Sequence, residues 1–280
     1  MMTKLVAIAD KNAFLHFVIS VFVFVSTHII SVWNEVCATA RVLFHFSFKY
    51  NLVKALKNKY KNKRCFIICT GPSLTIEDVE KLKKEYTFGM NSLCLLYDKT
   101  NFRPTFYGCI DKIVYDNFKK EIKKFCGRNT TVFISDRIKR KYNTPNGWIT
   151  IPLNVAYHTY DRWFKHKYWS KFSDDCYRLA YDMYSVTHLL IQLATYMGFK
   201  EIYLLGADCT FQKNNNTHFI EYGTLDQDFD SAEERCIVGY DAVKEYMDTH
   251  KTVLYNATRG GKLEKFKRVN LDDVLGERKA

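Results

Sequence analysis

Residues 65–74 read Cys65-Phe66-Ile67-Ile68-Cys69-Thr70-Gly71-Pro72-Ser73-Leu74. The first five form a short apolar run of the kind a buried strand requires, and Gly71-Pro72-Ser73 breaks it. A helical segment begins near Ile76. A strand, a glycine turn and a helix in succession place backbone N–H groups and a helix N-terminus at one point, where a phosphate is welcome. An ordinary βα turn is the plainer alternative. The stretch is not a GxGxxG, and it lacks the Lys-Ser/Thr of a P-loop.

Working outward, further apolar runs at 87–90, 105–110, 131–135, 148–151, 201–205 and 252–255 predict strands, with helical patterns between several of them. One helix is expected over 76–84. Another over 114–125 carries Val114, Phe118, Ile122 and Phe125 at helical spacing. The apolar segment 185–196 runs into Gly198, a good helix stop. Ala232, Cys236, Tyr240, Val243 and Met247 make one stripe of a helix before the last strand. This alternation predicts an α/β domain over 64–280, a mostly parallel sheet with helices on both faces. Its ligand is expected beyond the carboxyl ends of the strands.

The region 1–63 differs. From Asn12 to Asn34 there is no Lys, Arg, Asp or Glu, long enough for a helix that crosses a membrane or lies in its plane. Lys49, Lys54, Lys57, Lys59, Lys61, Lys63 and Arg64 follow with no acidic residue among them. A basic helical segment after an apolar helix predicts a flank facing anionic lipid on the cytoplasmic side, with a solvated helix face as the bland alternative. The run Arg137, Lys139, Arg140, Lys141 reads as a solvated or lipid-facing patch.

The chain has 280 residues, 47% of them hydrophobic, so it can bury a large core, and its charge of +12 calls for an anionic partner. The basic residues cluster beside the apolar helix rather than among aromatics of one sheet, which argues against nucleic acid. Nine scattered cysteines without a CxxC pair point to free thiols in a reducing compartment. Sequons at Asn129, Asn215 and Asn256 leave a Golgi-type orientation open.

The predicted carboxyl ends carry the candidate site residues. They are Thr70, Gly71, Pro72 and Ser73 after the first strand, Asn91 after the second, Asp111 after the third and Asp208 after the strand 201–205. Asn91 can read a ribose or phosphate, or cap the following helix. Asp208 suits a sugar hydroxyl, or caps its loop. The last turn, Arg259-Gly260-Gly261-Lys262, offers Arg259 and Lys262 to phosphate. His218, beyond the polar loop 212–217, is the histidine best placed for general-base work, with Tyr222 in reserve. No DxD, HExxH or Cys/His cluster supports a metal, although Asp111 and Asp208 have the hard oxygen ligands that Mg²⁺ takes.

Taken as a set, Gly71-Pro72-Ser73-Leu74, Asn91, Tyr184-Ser185 and Gly198-Phe199-Lys200-Glu201-Ile202-Tyr203-Leu204-Leu205-Gly206-Ala207-Asp208 resemble the bacterial lipooligosaccharide and capsule sialyltransferases. With the closing Tyr255-Asn256-Ala257-Thr258-Arg259-Gly260-Gly261-Lys262-Leu263-Glu264, the set is still more similar to the wider group of Maf flagellin glycosyltransferases and archaeal 6-hydroxymethylpterin diphosphokinase-like proteins. The resemblance covers roughly residues 64–270. It implies a Rossmann-like, GT-A-variant fold and an inverting, metal-independent glycosyltransferase with no cofactor beyond its CMP-linked sugar donor. It implies that residues 70–73, Asn91 and Ser185 hold the nucleotide, and that a histidine in a lid deprotonates the acceptor, a cell-surface glycan or glycolipid. An oligomer is compatible with it. The sialyltransferases have Asn where this chain has Thr70, and their catalytic histidine aligns with Tyr222, while His218 is the imidazole near that loop. The other enzyme class the resemblance allows is an ATP-dependent pterin pyrophosphokinase.

Overall fold

The computed structural model describes residues 12–46, 48–126, 129–158, 164, 168–210 and 229–276. Seven strands form one sheet: β1 (Arg64–Ile68), β2 (Tyr86–Met90), β3 (Phe106–Cys109), β4 (Thr131–Ser135), β5 (Ile149–Ile151), β8 (Glu201–Leu205) and β9 (Val253–Asn256). Their order is β5-β4-β3-β2-β1-β8-β9, and every pairing is parallel. Two further strands, β6 (Leu153–Asn154) and β7 (Ala180–Tyr181), make a separate parallel ribbon.

Parallel strands need crossovers that cover both faces, so their side chains are buried on both sides. In β1, Cys65 and Ile67 enter one core, while Phe66 and Ile68 enter the other. Cys69 is buried just beyond them, so both cysteines of the opening stretch are core residues. The first core contains the wholly buried helix α6 (Val186–Tyr196) and the inner face of α7 (Phe229–Thr249). The second is covered by α3 (Ile76–Lys81), the 3-10 helix Asn91–Asp98, α4 (Lys112–Phe125) and α5 (Asp136–Lys141), with α8 (Leu271–Gly276) beside it. The fold class expected from the alternation of strands and helices is therefore the one found, an α/β Rossmann-like sheet preceded by an N-terminal helix.

That helix, α1 (Ala13–Leu43), is long and apolar enough to cross a membrane by length and composition. Only 6% of its most apolar window is buried. Phe14, Phe17 and Phe22 are exposed, whereas Ser31 and Ala38 are buried. The C-terminal half meets the domain through polar bonds. Asn34 donates to Asn154 (3.2 Å), Asn154 donates to the Ser31 hydroxyl (3.2 Å), and Lys171 pairs with Glu35 (2.8 Å).

The basic segment departs from the expectation of a helix. It holds a 3-10 turn at Phe48–Tyr50, the four-residue α2 (Asn51–Lys54) and then turns. Its apolar residues are the reason: Tyr50, Val53 and Leu56 are buried in the first core, and Tyr60 stacks on Phe199 at 5.0 Å. Packing, not helical propensity, sets the path. Arg64 does not join a lipid-facing flank either. It is buried, with its guanidinium on Glu85 (2.7 and 3.1 Å) and on the Val274 carbonyl (2.8 Å). The helix after the first turn ends at Lys81, three residues short of the expected end.

Candidate functional site

The chain leaves β1 toward β2 and β5 but leaves β8 toward β9, on the other side of the sheet. The carboxyl ends of β1 and β8 thus flank the point where connections reverse, the usual crevice for a ligand in such sheets. Two glycines allow the approach. A Cβ on Gly71 would lie 2.0 Å from Asp208 Oδ2 and 2.5 Å from the Gly206 carbonyl, so no other residue fits. Gly206 itself has φ +64°, the left-handed region open to glycine.

The groups around this crevice satisfy one another. Ser73 donates its N–H (3.3 Å) and hydroxyl (2.8 Å) to Asp208. The Gly71 N–H goes to the Gly206 carbonyl (2.9 Å), and the Leu74 N–H to the Gly71 carbonyl (3.2 Å). Arg259 reaches both carboxylate oxygens of Asp78 (2.8 and 2.5 Å) and the Ser73 carbonyl (2.9 Å). Lys262 pairs with Glu233 (2.6 Å), and its N–H donates to the Asp208 carbonyl (2.8 Å). The Thr258 hydroxyl accepts from the Ala207 N–H (2.9 Å).

Burial pushes the Asp208 carboxyl above its ordinary value, and the two Ser73 bonds offset this only in part. Burial acts the same way on Asp78, but there Arg259 and Thr75 outweigh it and hold the carboxyl low. The expectation of an open cradle of N–H groups is corrected: those of Gly71 and Ser73 are spent on Gly206 and Asp208 after β8, and that of Leu74 on Gly71. The crevice presents carboxylate and hydroxyl oxygens, which suit the hydroxyls of a sugar better than a phosphate.

The other expected residues surround this point. Ser185 caps α6, accepting from the Thr187 N–H (3.3 Å), and the Thr187 hydroxyl lies 3.6 Å from Cys69 Sγ and 3.5 Å from Met90 Sδ. It therefore joins the ends of β1 and β2. Asn91 has φ +45°, its carbonyl accepts from the Tyr107 hydroxyl, and its buried Oδ1 has no hydrogen-bond partner among the described residues. Asp111 is exposed and caps α4, accepting from the N–H groups of Ile113 (2.6 Å) and Val114 (3.0 Å). Thr70 and Pro72 complete the first turn. His218 and Tyr222 lie outside the described residues. Asn256 is fully buried and donates its amide to the Leu263 carbonyl (2.7 Å), so its sequon is closed to a glycan.

One further pair carries no signal in the sequence. The parallel pairing of β6 with β7 carries the segments after each strand in the same direction, and it sets His158 against Asp182. His158 Nδ1 is 2.8 Å from Asp182 Oδ2. Among the described residues the Asp182 side chain is 7% exposed and the His158 side chain 34%, so the carboxylate is the more buried partner. The Asp182 carboxylate beside the ring raises the His158 pKa above 6.5 against the effect of burial, and Asp111, at the end of β3, adds to the rise. Tyr184, held at φ +69°, donates its N–H to the other Asp182 oxygen (3.2 Å). A buried carboxylate that orients an imidazole is the arrangement of a general base. No motif marks His158, because its partner is brought by strands of two residues each.

The fully buried His188 contrasts with it. Nδ1–H donates to the Met183 carbonyl (2.5 Å), and burial pulls its pKa down to about 4, so it is a neutral structural histidine. Among the described residues, no three His, Cys, Asp or Glu side chains gather as a metal site.

No curated protein matches the chain in sequence. Among solved structures, the Maf glycosyltransferase from Magnetospirillum magneticum AMB-1 aligns with a TM-score of 0.49 and 14% identity, over 81% of this chain and 38% of that one. This chain thus spans well under half of that protein's length. The model of the 6-hydroxymethylpterin diphosphokinase MptE-like family matches residues 44–214, from the foot of α1 through the β8 turn. The chain belongs to the 6-hydroxymethylpterin diphosphokinase MptE-like family.

Proposed function

We propose that the protein is a glycosyltransferase of surface-glycan assembly. It takes a sugar from a nucleotide-activated, CMP-linked donor and passes it, with inversion and without a metal, to a glycan or lipid-linked acceptor. The observation that carries this reading is the His158–Asp182 pair, 2.8 Å apart and within the electrostatic reach of Asp111 at the carboxyl edge. The donor's ribose hydroxyls bond Asp208 and its neighbours in the β1/β8 crevice. With Nδ1 engaged by Asp182, His158 Nε2 takes the proton of the acceptor hydroxyl. The acceptor oxygen attacks the anomeric carbon, the bond from that carbon to the phosphate oxygen breaks, and the nucleotide leaves with the electron pair. Asp182 stabilises the imidazolium that forms. The apolar helix α1 holds the enzyme at the cytoplasmic face of a membrane, beside its acceptor.

A second reading is favoured by the family's description as 6-hydroxymethylpterin diphosphokinase MptE-like: transfer of diphosphate to a pterin alcohol, for which ATP and Mg²⁺ would be the donor and the metal. Asp111 and Asp208, the carboxylates it needs, are engaged as a helix cap and on Ser73. Calorimetric titration of the full chain with CMP, UDP, GDP and ATP, with and without Mg²⁺, separates the two. Binding of CMP without metal is expected, and it should survive His158→Ala while transfer is lost. Mg²⁺-dependent binding of ATP alone would put the diphosphokinase first.

A further inference from the structure

A second cavity, of about 300 Å³, opens where α1 meets the domain. It is lined by Arg41 of α1, by Tyr50, by Asp136, Arg137 and Arg140 of α5, and by Leu179. Asp136 directly follows β4, and Pro152, also on the wall, directly follows β5. The cavity therefore lies at the same carboxyl edge as the β1/β8 crevice, at the far end of the sheet.

Three arginines face one carboxylate here. Asp136 is already engaged by Arg140 (3.2 Å). Arg41 stacks over the Tyr50 ring at 4.2 Å and donates to the carbonyls of Tyr177 and Arg178. Lys49 adds a further cation 4.7 Å from the same ring. Arg137 is half-buried and, among the described residues, makes no hydrogen bond or ion pair. A half-buried guanidinium without an anion is an unmet interaction, and its planar fork fits the oxygens of a phosphate. N-terminal to this cavity α1 carries exposed apolar side chains, Phe14, Phe17, Phe22, Ile29 and Trp33 among them.

We infer that the cavity receives the phosphate headgroup of a membrane lipid, whose hydrocarbon chain lies along α1. Arg137 and Arg41 bind the phosphate oxygens, with Arg140 at the rim. The volume suits a phosphate with its first linked group. The lipid's identity as acceptor rests on the transferase reading; its binding does not.

The test is calorimetric titration of the full chain in zwitterionic micelles, with no nucleotide present. The probes are lysophosphatidic acid, lysophosphatidylcholine and inorganic phosphate. Saturable binding of lysophosphatidic acid is expected, about tenfold tighter than either other probe, with about tenfold loss in Arg137→Ala and retention in Arg137→Lys. Equal affinity for lysophosphatidylcholine overturns the site, as does unchanged affinity in Arg137→Ala. Equal affinity for inorganic phosphate overturns the lipid assignment. Should Arg137→Ala fail to fold, Arg140→Ala at the rim serves instead, and unchanged lipid affinity there counts against the proposal. Because no nucleotide is present, a negative result leaves the transferase reading standing.

Discussion

Two ends of one sheet edge handle charge in opposite ways. At the β1/β8 crevice, Arg259 meets Asp78, Lys262 meets Glu233, and three turn N–H groups find acceptors within the turn region. At the α1–α5 junction, Arg137 meets no carboxylate among the described residues. The closed end has its cations paired before any ligand arrives and can select by shape and by a few oxygens. The open end keeps an electrostatic demand that a ligand must fill. Cations alone, as counted along a sequence, do not separate these cases; their partners do.

The largest effect that would sharpen this contrast lies between the two ends. His158→Ala should lower transfer by roughly 10²- to 10⁴-fold with donor affinity nearly unchanged. Full transfer activity in that variant would remove His158 from the mechanism. Gly71→Ala comes next, since its methyl group would overlap Asp208 Oδ2 and the Gly206 carbonyl. A stability loss of about 1–3 kcal/mol, with weakened nucleotide binding, should appear in denaturant unfolding. Arg259→Ala should cost about 1–2 kcal/mol, because the buried Asp78 loses its guanidinium and keeps only Thr75. Arg137→Ala should change stability by no more than about 0.5 kcal/mol, since no partner is orphaned. If Arg259→Ala and Arg137→Ala cost the same, the distinction between closed and open ends fails.

The last effect is one of pH. The His158 pKa lies above 6.5 in the folded chain, so its stabilisation is complete below about pH 6.5 and fades as pH rises through the raised value. Base function has the opposite slope, because only the neutral ring accepts a proton. Transfer should therefore rise with pH along a limb set by that raised value, and Asp182→Asn should move the limb to lower pH while reducing the maximum rate. A limb unmoved by Asp182→Asn would show that another group sets it. His188 acts in the other direction: between about pH 6.5 and 4 the unfolded chain binds a proton that the folded one refuses, so stability falls as pH falls through that window.

The seven strands of the main sheet were readable because strands buried on both faces appear as unbroken apolar runs, and 131–135 and 201–205 have the same bounds in the structure as in the sequence reading. Helix α6 was readable for a similar reason, with Gly198 as its stop. The ribbon β6–β7 was not, since two residues carry no period. Nor were the pairings that close the crevice: Arg259 and Asp78 are 181 positions apart, and nothing local to either names the other. The turns were found as places, but their chemistry depended on partners supplied by distant elements. For the base, His218 is the imidazole near the polar loop, outside the described residues, while His158 meets its carboxylate only once the ribbon has formed.

The central place of β1 has a consequence for synthesis. This first strand is hydrogen-bonded on one side to β2, which emerges soon after it, and on the other to β8, whose residues begin at Glu201. A nascent chain can assemble β1 to β5 while the other flank of β1 still presents unpaired N–H and C=O groups along Arg64–Ile68. Such a flank is a template for wrong partners, including the same strand on a neighbouring polysome product. The risk lasts until Glu201–Leu205 clears the ribosome, and truncation before that point should yield aggregates rather than a smaller folded domain.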